Sequence, residues 1–309
     1  MASELSRRGL LGTALSLAAL RAARADDIPT QTPSNAMNIL TIPVAANGKG
    51  PFHFVVDSGA ERTVLADDVA AALGLAKTGR ASVVGVARAL PADTVRLSSL
   101  SVGNTTVNDL DLPVLPRALM QADGYLGLDV IDGHRITFNF THGQLELNDP
   151  IPTYFSGYAR PDEDVLSADG RKGKLRTTDC RIDGINATAF LDTGADVSVG
   201  NMQLYRMLAD EGDRLVPAAE IMLAGITGGR VPAQALSIGR IRLGNLDFNS
   251  ASLAIADLPV FDLWGLKEKP AIFVGMDFLR HFSRVTIDYG RKQYRLQFAA
   301  LRLASRTKG

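Results

Sequence analysis

The sequence contains a long internal repeat, in which the same short segments occur twice in the same order. Each copy has an apolar strand, a tight turn, a second apolar strand, and then an aspartate, a hydroxyl residue and a glycine. The two aspartates are Asp57 and Asp192, which are 135 positions apart (192 − 57). Because an accidental likeness between short motifs seldom preserves their order, the chain is expected to fold as two similar halves.

The repeat continues after the aspartates. A short helix is predicted over residues 67–75 and again over residues 201–208, each opened by an N-capping side chain. Three glycine-containing segments match next: glycine-centred strands at Gly85 and Gly225, Gly-Asn turns at Gly103 and Gly244, and apolar segments that end at Gly127 and Gly275. Each half then closes with a last hairpin. The separation grows to 148 (275 − 127), so the second copy carries extra residues, chiefly around 261–270.

Short apolar runs separated by turn residues favour strands over long helices. The chain has 29 glycines and 14 prolines, which supports many turns. We therefore expect an all-β, two-lobed fold with a few short helices. The first lobe is predicted over residues 38–149 and the second over 174–299. Residues 150–173 are rich in proline, glycine and charge without a clear apolar period, and are predicted to link the lobes.

The N-terminus has the pattern of an export signal. Arg7 and Arg8 precede an apolar run over residues 10–20 that is short for a membrane span, and a small-x-small cleavage site ends at Ala25. Residues 1–25 are thus predicted to be a twin-arginine-type signal peptide. The mature protein is expected to be periplasmic or secreted, with no membrane contact after the signal is removed.

Charge and cysteine content limit the partners and cofactors. Lysine plus arginine and aspartate plus glutamate both total 33, so nothing indicates nucleic acid as a partner. Cys180 is the only cysteine, which makes an intramolecular disulfide impossible. The four histidines show no metal-ligand spacing with one another or with Cys180, and we expect no metal and no cofactor.

Each repeated aspartate follows a strand that is predicted to be buried, where an isolated charge is unfavourable. A hydroxyl and a glycine that permits a tight turn come next, and can surround the carboxylate with hydrogen-bond donors. These supports are Ser58 and Gly59 in the first half and Thr193 and Gly194 in the second. Their occurrence once per half suggests that a pseudo-twofold axis brings the aspartates together.

Two carboxylates roughly 4 Å apart, at an effective dielectric constant near 20, repel each other by on the order of 4 kcal/mol. Such a pair shares one proton. The ionised partner can then remove a proton from a water molecule, while the protonated partner polarises a substrate carbonyl.

Residues 190–196, Phe-Leu-Asp-Thr-Gly-Ala-Asp, are very similar to the active-site segment of retroviral proteases, and residues 55–61 are a slightly altered twin. At these residues the chain resembles the retropepsin-like aspartic peptidases. The apolar segments ending at Gly127 and Gly275 resemble the strand that passes beside the catalytic turn in this family. The resemblance covers most of residues 38–298, with both halves in tandem as in pepsin-like enzymes.

This resemblance implies that Asp57 and Asp192 are catalytic, and that Ser58 and Thr193 lock the two turns together across the interface. In retroviral relatives, an acid shortly after the motif binds the substrate backbone. Glu61 and Asp196 are the matching candidates here, although a solvated loop acid is an equally good interpretation.

Two glycine-centred segments, around Gly85 and around Gly225, are candidate flaps over the substrate. Neither contains the tyrosine that pepsin-like enzymes place there.

The resemblance implies an aspartic-type endopeptidase that acts on peptides or proteins as a monomer. The main alternative is a periplasmic binding or regulatory protein that keeps the scaffold without turnover, because a fold does not dictate function. A carboxylate-based cation site at the same cleft is a second alternative.

Overall fold

The computed structural model describes residues 40–150, 162–170, 173–210 and 217–298. The strands form two seven-stranded sheets and one five-stranded sheet, and the helices are short. The expected all-β, two-lobed architecture is confirmed. The predicted signal peptide, residues 1–25, lies outside the described residues, so it stays a prediction.

Within residues 40–150, the first half supplies nine strands and two short α-helices, with a single 3-10 turn at Arg117–Leu119. Its strands are β1 (Thr41–Ala46), β2 (Lys49–Val56), β3 (Val64–Ala66), β4 (Lys77–Val84), β5 (Ala89–Val102), β6 (Thr105–Leu115), β7 (Gly124–Leu126), β8 (Arg135–Asn139) and β9 (Gln144–Asn148). Its helices are α1 (Asp67–Ala72) and α2 (Leu128–Ile131).

The second half repeats this plan after one additional strand. Its strands are β10 (Glu163–Ser167), β11 (Thr177–Ile182), β12 (Ile185–Leu191), β13 (Val199–Gly200), β14 (Pro217–Ala224), β15 (Arg230–Leu243), β16 (Leu246–Ile255), β17 (Ala271–Val274), β18 (Arg284–Asp288) and β19 (Gln293–Gln297). Its helices are α3 (Met202–Asp210), α4 (Pro259–Leu263) and α5 (Met276–Leu279). The strand β10 lies inside the stretch predicted as a linker.

Each lobe is a closed barrel of six strands with a seventh strand outside it. The first sheet has the order β1-β2-β7-β3-β6-β5-β4, and an extra pairing of β1 with β5 closes the ring. The second has the order β11-β12-β17-β13-β16-β15-β14, closed by β11 and β15. In both lobes the strand outside the ring, β4 or β14, forms a long hairpin with the strand that follows it.

The barrel interiors follow from the alternation of side chains along the strands. In β1, the inward side chains Ile42, Val44 and Ala46 are buried. This alternation stops at the ends of β2 and β12, where consecutive residues are buried on both faces between neighbouring strands. Both strands therefore carry the residues that follow them, Asp57 and Asp192, into the interior between the lobes.

A central five-stranded sheet joins the halves in the order β10-β19-β18-β8-β9. Strand β8 of the first half pairs antiparallel with β18 of the second, with Thr137 opposite Thr286 and their hydroxyl oxygens 3.2 Å apart. Buried apolar residues of both barrels and of this sheet form one continuous cluster. Among the described residues, no helix has the length and apolar character needed to cross a membrane.

Candidate active site

The two Asp-Ser/Thr-Gly turns interlock at the lobe interface. The Ser58 N–H donates to the Thr193 hydroxyl oxygen at 3.1 Å, and the Thr193 N–H donates to the Ser58 hydroxyl oxygen at 3.0 Å. Each hydroxyl also donates to a carbonyl of the opposite lobe, from Ser58 to Leu191 at 2.6 Å and from Thr193 to Val56 at 2.7 Å. Ser58 and Thr193 are both buried, so these exchanged bonds hold the turns in register.

Within each turn, backbone N–H groups bind the aspartate. Gly59 and Ala60 donate to Oδ1 of Asp57 at 2.9 and 3.0 Å. Gly194 donates to Oδ1 of Asp192 at 3.1 Å. Asp57 therefore accepts two short backbone bonds, whereas the Gly194 bond to Asp192 is slightly longer and the Ala195 N–H also acts on the Asp192 carboxylate.

Each glycine of the motif lies against the carboxylate of the opposite lobe. A Cβ atom placed on Gly59 would lie 2.9 Å from both carboxylate oxygens of Asp192. A Cβ atom on Gly194 would lie 2.5 Å from both carboxylate oxygens of Asp57. Only glycine leaves space for this close approach, which brings the two carboxyl groups to one place.

Burial raises the pKa of both carboxyl groups. The pKa of Asp57 rises from 3.8 to about 6, against the lowering effect of the Gly59 and Ala60 N–H groups. The pKa of Asp192 rises to about 7, mainly by burial and further by the charge of Asp57. Two carboxyl groups so close together favour a state with one shared proton.

Tyr125, in β7 beside the end of β2, is a buried phenol close to the pair. Burial raises its pKa to about 12, and the charges of Asp57 and Asp196 add to this effect. The Tyr125 side chain therefore stays protonated at any pH at which the aspartates titrate.

The two acids that follow the motifs lie in different surroundings. Glu61 is exposed and forms an ion pair with Lys174, the first residue of the predicted second lobe. Asp196 is half-buried, and burial raises its pKa while the charge of Arg280 lowers it. The two candidate substrate-binding acids are thus not electrostatically equivalent.

The extra residues of the second half pack against the aromatic side chains of β12 and β17. They include α4 and Trp264, whose ring lies 4.3 Å from that of Phe190 in an edge-to-face arrangement. Phe190 is two residues before Asp192 on β12. The Lys174 ammonium lies 5.5 Å from the Trp264 ring centroid, so this lysine contacts both lobes.

The candidate flaps are the tips of the β4–β5 and β14–β15 hairpins, which contact each other. The Arg88 guanidinium donates to the Thr227 carbonyl at 2.9 Å, and the Thr227 hydroxyl donates to the Arg88 carbonyl at 3.0 Å. A Cβ atom on Gly85 would collide with the Thr227 side chain, and Gly225 lies against Val86. Both glycines therefore permit contact between the tips.

Two hydroxyl residues that were not predicted as part of the site, Thr63 and Ser198, bind acids behind the Asp-Ser/Thr-Gly turns. Each is six positions after its aspartate (63 − 57 and 198 − 192). Their matched spacing in the repeat was the signal that could have revealed them.

Over residues 40–150, 162–170, 173–210 and 217–298, no cluster of three or more histidine, cysteine, aspartate or glutamate side chains could hold a metal ion.

Comparison with protein families identifies the class. The family model described as aspartyl protease matches residues 42–130 and 178–278, one region in each lobe. The chain therefore belongs to the aspartyl protease family, and this family and fold support a protease-like function.

Two solved structures are similar to this chain. A retropepsin-like aspartic protease from Rickettsia conorii is 17% identical, with a TM-score of 0.31, and the match covers 44% of this chain and 90% of that one. The aspartic proteinase from Irpex lacteus is 12% identical, with a TM-score of 0.48, and the match covers 85% of this chain and 94% of that one. A comparison with curated protein sequences gave no match.

Proposed function

We propose that this protein is an aspartic-type endopeptidase, which hydrolyses peptide bonds with a water molecule activated between Asp57 and Asp192. The observation that carries this proposal is the interlocked pair of turns, which holds two half-buried carboxyl groups together with raised pKa values. A purely structural turn would not need the same costly arrangement in both lobes.

The surroundings of the two carboxyl groups suggest separate roles. Asp57 accepts two short N–H bonds, at 2.9 and 3.0 Å, so it is the better candidate for the ionised partner. The Gly194 bond to Asp192 is longer, at 3.1 Å, so Asp192 is the better candidate to carry the shared proton. Asp57 would then act as the general base and Asp192 as the general acid.

In the first step, Asp57 takes a proton from the water, whose oxygen bonds to the carbonyl carbon of the substrate. At the same time, Asp192 gives its proton to the carbonyl oxygen, which produces a neutral tetrahedral diol. In the second step the carbon–nitrogen bond breaks, Asp57 returns its proton to the leaving nitrogen, and Asp192 regains one from a diol hydroxyl. Both carboxyl groups end as they began.

We also propose that the mature protein acts as a monomer on peptides or proteins outside the cytoplasm, after the loss of residues 1–25. The single-chain source of both carboxyl groups supports the monomer, and the N-terminal sequence pattern supports export.

The test is initial-rate hydrolysis of a peptide library by the mature protein and by the variants Asp57→Asn, Asp192→Asn and the double mutant. Asparagine is nearly isosteric but cannot serve in the shared-proton pair, so each single change should reduce kcat by about a thousandfold or more, and the double mutant should be scarcely worse. Asp247→Asn, an exposed carboxylate in the second lobe, is the matched control.

Substantial cleavage by Asp192→Asn would refute the shared site. If the wild-type protein cleaves nothing but is protected thermally by a peptide inhibitor with a statine-type hydroxyl, the outcome favours the non-catalytic binding protein. Thermal protection by calcium instead would favour the cation site.

A further inference from the structure

Behind the catalytic turn of the first half, a second hydrogen-bond network ties two segments together. The Thr63 hydroxyl and N–H both donate to Oδ1 of Asp129, at 2.7 and 2.8 Å. The Gly127 N–H donates to the same Thr63 hydroxyl oxygen at 3.0 Å. Thr63 is fully buried, whereas Asp129 is exposed, so water is excluded from the Thr63 side of these bonds and reaches the outer side of the carboxylate.

The second half contains the same network at matched positions. The Ser198 hydroxyl donates to Oδ1 of Asp277 at 2.6 Å, and the Ser198 N–H donates to Oδ2 at 2.9 Å. The Gly275 N–H donates to the Ser198 hydroxyl oxygen at 2.8 Å. The network recurs independently in both lobes. This recurrence indicates that it supports a feature present in both, the Asp-Ser/Thr-Gly turn.

The network continues to the catalytic aspartates through the backbone. In the first half, the Asp57 N–H donates to the Leu126 carbonyl at 3.0 Å and the Leu128 N–H donates to the Ala60 carbonyl at 2.8 Å. The second half repeats both bonds, from Asp192 to Val274 at 2.9 Å and from Met276 to Ala195 at 2.8 Å. The carboxylate of Asp129 or Asp277 thus adds a side-chain attachment to these backbone bonds between the two segments.

We infer that Asp129 and Asp277 are positioning residues of the proposed peptidase site. Each holds the segment that follows its catalytic turn, so that Asp57 and Asp192 meet in register across the lobe interface. The inference rests on the proposed function, since it assigns supports to the same site. Both act through Thr63 or Ser198 and contact neither catalytic carboxylate in the network described.

Burial raises the pKa of Asp129 and of Asp277, while the bonds from Thr63 and Ser198 lower it. A carboxylate is suited to this place because it only accepts hydrogen bonds, and each threonine or serine supplies two donors.

The two halves differ in one detail that makes the inference testable. Both donors of Thr63 meet a single oxygen of Asp129, whereas the donors of Ser198 meet different oxygens of Asp277. Asparagine has one acceptor oxygen, so Asp129→Asn can keep both bonds. Asp277→Asn loses one bond and turns an NH2 group toward a Ser198 donor.

The experiment compares Asp129→Asn, Asp277→Asn and the surface control Asp247→Asn. Asp277→Asn should lower kcat by about tenfold or more with KM nearly unchanged, because a bond to a charged acceptor is lost. It should also move the acid limb of the pH–rate profile and speed amide hydrogen exchange across residues 192–198. Asp129→Asn should lose less activity and leave exchange across residues 57–63 closer to wild type.

Equal losses in Asp129→Asn and Asp277→Asn would overturn the inference. So would a loss in Asp277→Asn that only follows the folded fraction, with an unchanged pH profile and unchanged exchange at residues 192–198. If the wild type cleaves no peptide, the proposed function fails, but the exchange measurement still decides the positioning role. Should Asp277→Asn not fold, Ser198→Ala removes one donor and should raise exchange in the same segment.

Discussion

The carboxyl groups of Asp57 and Asp192 are held together by bonds that lie outside the pair itself. Their own turns donate N–H groups to them, and Ser58 and Thr193 lock these turns to each other. The raised pKa values are a consequence, because the lock keeps two carboxyl groups in a partly desolvated place that neither would occupy alone. The folded protein therefore contains an unfavourable electrostatic interaction at neutral pH.

The sign of this effect on stability can be tested with Asp192→Asn. The folded-state pKa of Asp192 is about 7 against an ordinary value of 3.8, so the folded state binds more protons than the unfolded state between these values. Stability contributed by this group should fall as pH rises through that window. At a pH of about 8, the substitution should raise the Tm by about 2–4 °C for each kcal/mol of penalty removed.

At a pH of about 2.5, below both pKa values, the carboxyl group is protonated in both states and the difference should shrink toward zero. The exposed change Asp247→Asn should show no gain in Tm at the higher pH, because its carboxylate has a favourable partner in Arg240. A Tm difference between Asp192→Asn and wild type that is the same at both pH values would contradict the prediction.

Sequence analysis could locate the aspartates because the repeat marks them twice. It could not reveal that Glu61 pairs with Lys174, since that contact joins residues 113 positions apart (174 − 61) without any repeated signal. Nor could it distinguish Asp57 from Asp192, whose sequence surroundings are alike. The pKa of both groups is raised mainly by burial, and the bonds that oppose this effect are defined only by folding.

Among the elements, the helices after the two motifs illustrate what local patterns can predict. Asn201 caps α3 as expected, because its side-chain oxygen accepts the Leu204 N–H at 2.9 Å. The expected cap at Asp67 is wrong by one position. The N-cap of α1 is Ala66, and the Asp67 carboxylate accepts the N–H of Arg117 from a distant loop at 2.9 Å. The Asp67 carboxylate thus binds a backbone N–H group 50 positions away and does not cap the helix.

The strand β10 could not be predicted from local patterns, because its sequence has no strong strand pattern. Glu163, at its start, makes two bonds to the Arg295 guanidinium on β19 at 3.0 and 2.6 Å. Both side chains are about nine-tenths buried. The strand is therefore stabilised by its partner, which sequence periodicity cannot indicate.

The contact between the hairpin tips can be tested with Gly85→Ala. The added methyl group would collide with the buried Thr227 side chain, so the tips should separate and amide hydrogen exchange across residues 84–89 and 225–229 should rise by about tenfold or more. Gly79→Ala lies on the same hairpin, where the nearest atom to the new Cβ is the Thr94 hydroxyl oxygen at 3.3 Å. It should leave exchange at the tips near wild type.

If Gly85→Ala leaves exchange at both tips unchanged, the tips do not hold each other in solution. A rise confined to residues 84–89 would mean that the second hairpin keeps its place without the first.

At the scale of the whole molecule, the two lobes are not independent units. The apolar cluster runs without interruption from Ile42 in the first barrel to Leu296 in the central sheet. The β8–β18 pairing adds backbone hydrogen bonds between the halves. Both carboxyl groups of the proposed site depend on this union, because the hydroxyl of each turn donates to a carbonyl of the opposite lobe.

The coupling of the two lobes through the central sheet can be tested with Ile287→Ala in the complete mature chain. Ile287 is fully buried in β18, opposite Ile136 of the first half, so its truncation should lower the free energy of unfolding by about 2–5 kcal/mol. Trp264 lies in a second apolar cluster, whose Phe190 and Phe273 are on strands that also supply Leu191 and Val274 to the cluster of Ile287. Trp264 fluorescence, which reports on the second lobe, and far-ultraviolet circular dichroism should therefore shift to the same lower midpoint. Leu263→Ala, at an exposed side chain, should change stability by less than about 0.5 kcal/mol. Two separate transitions, in which the substitution moves only one, would mean that the lobes unfold independently and that the central sheet does not couple them.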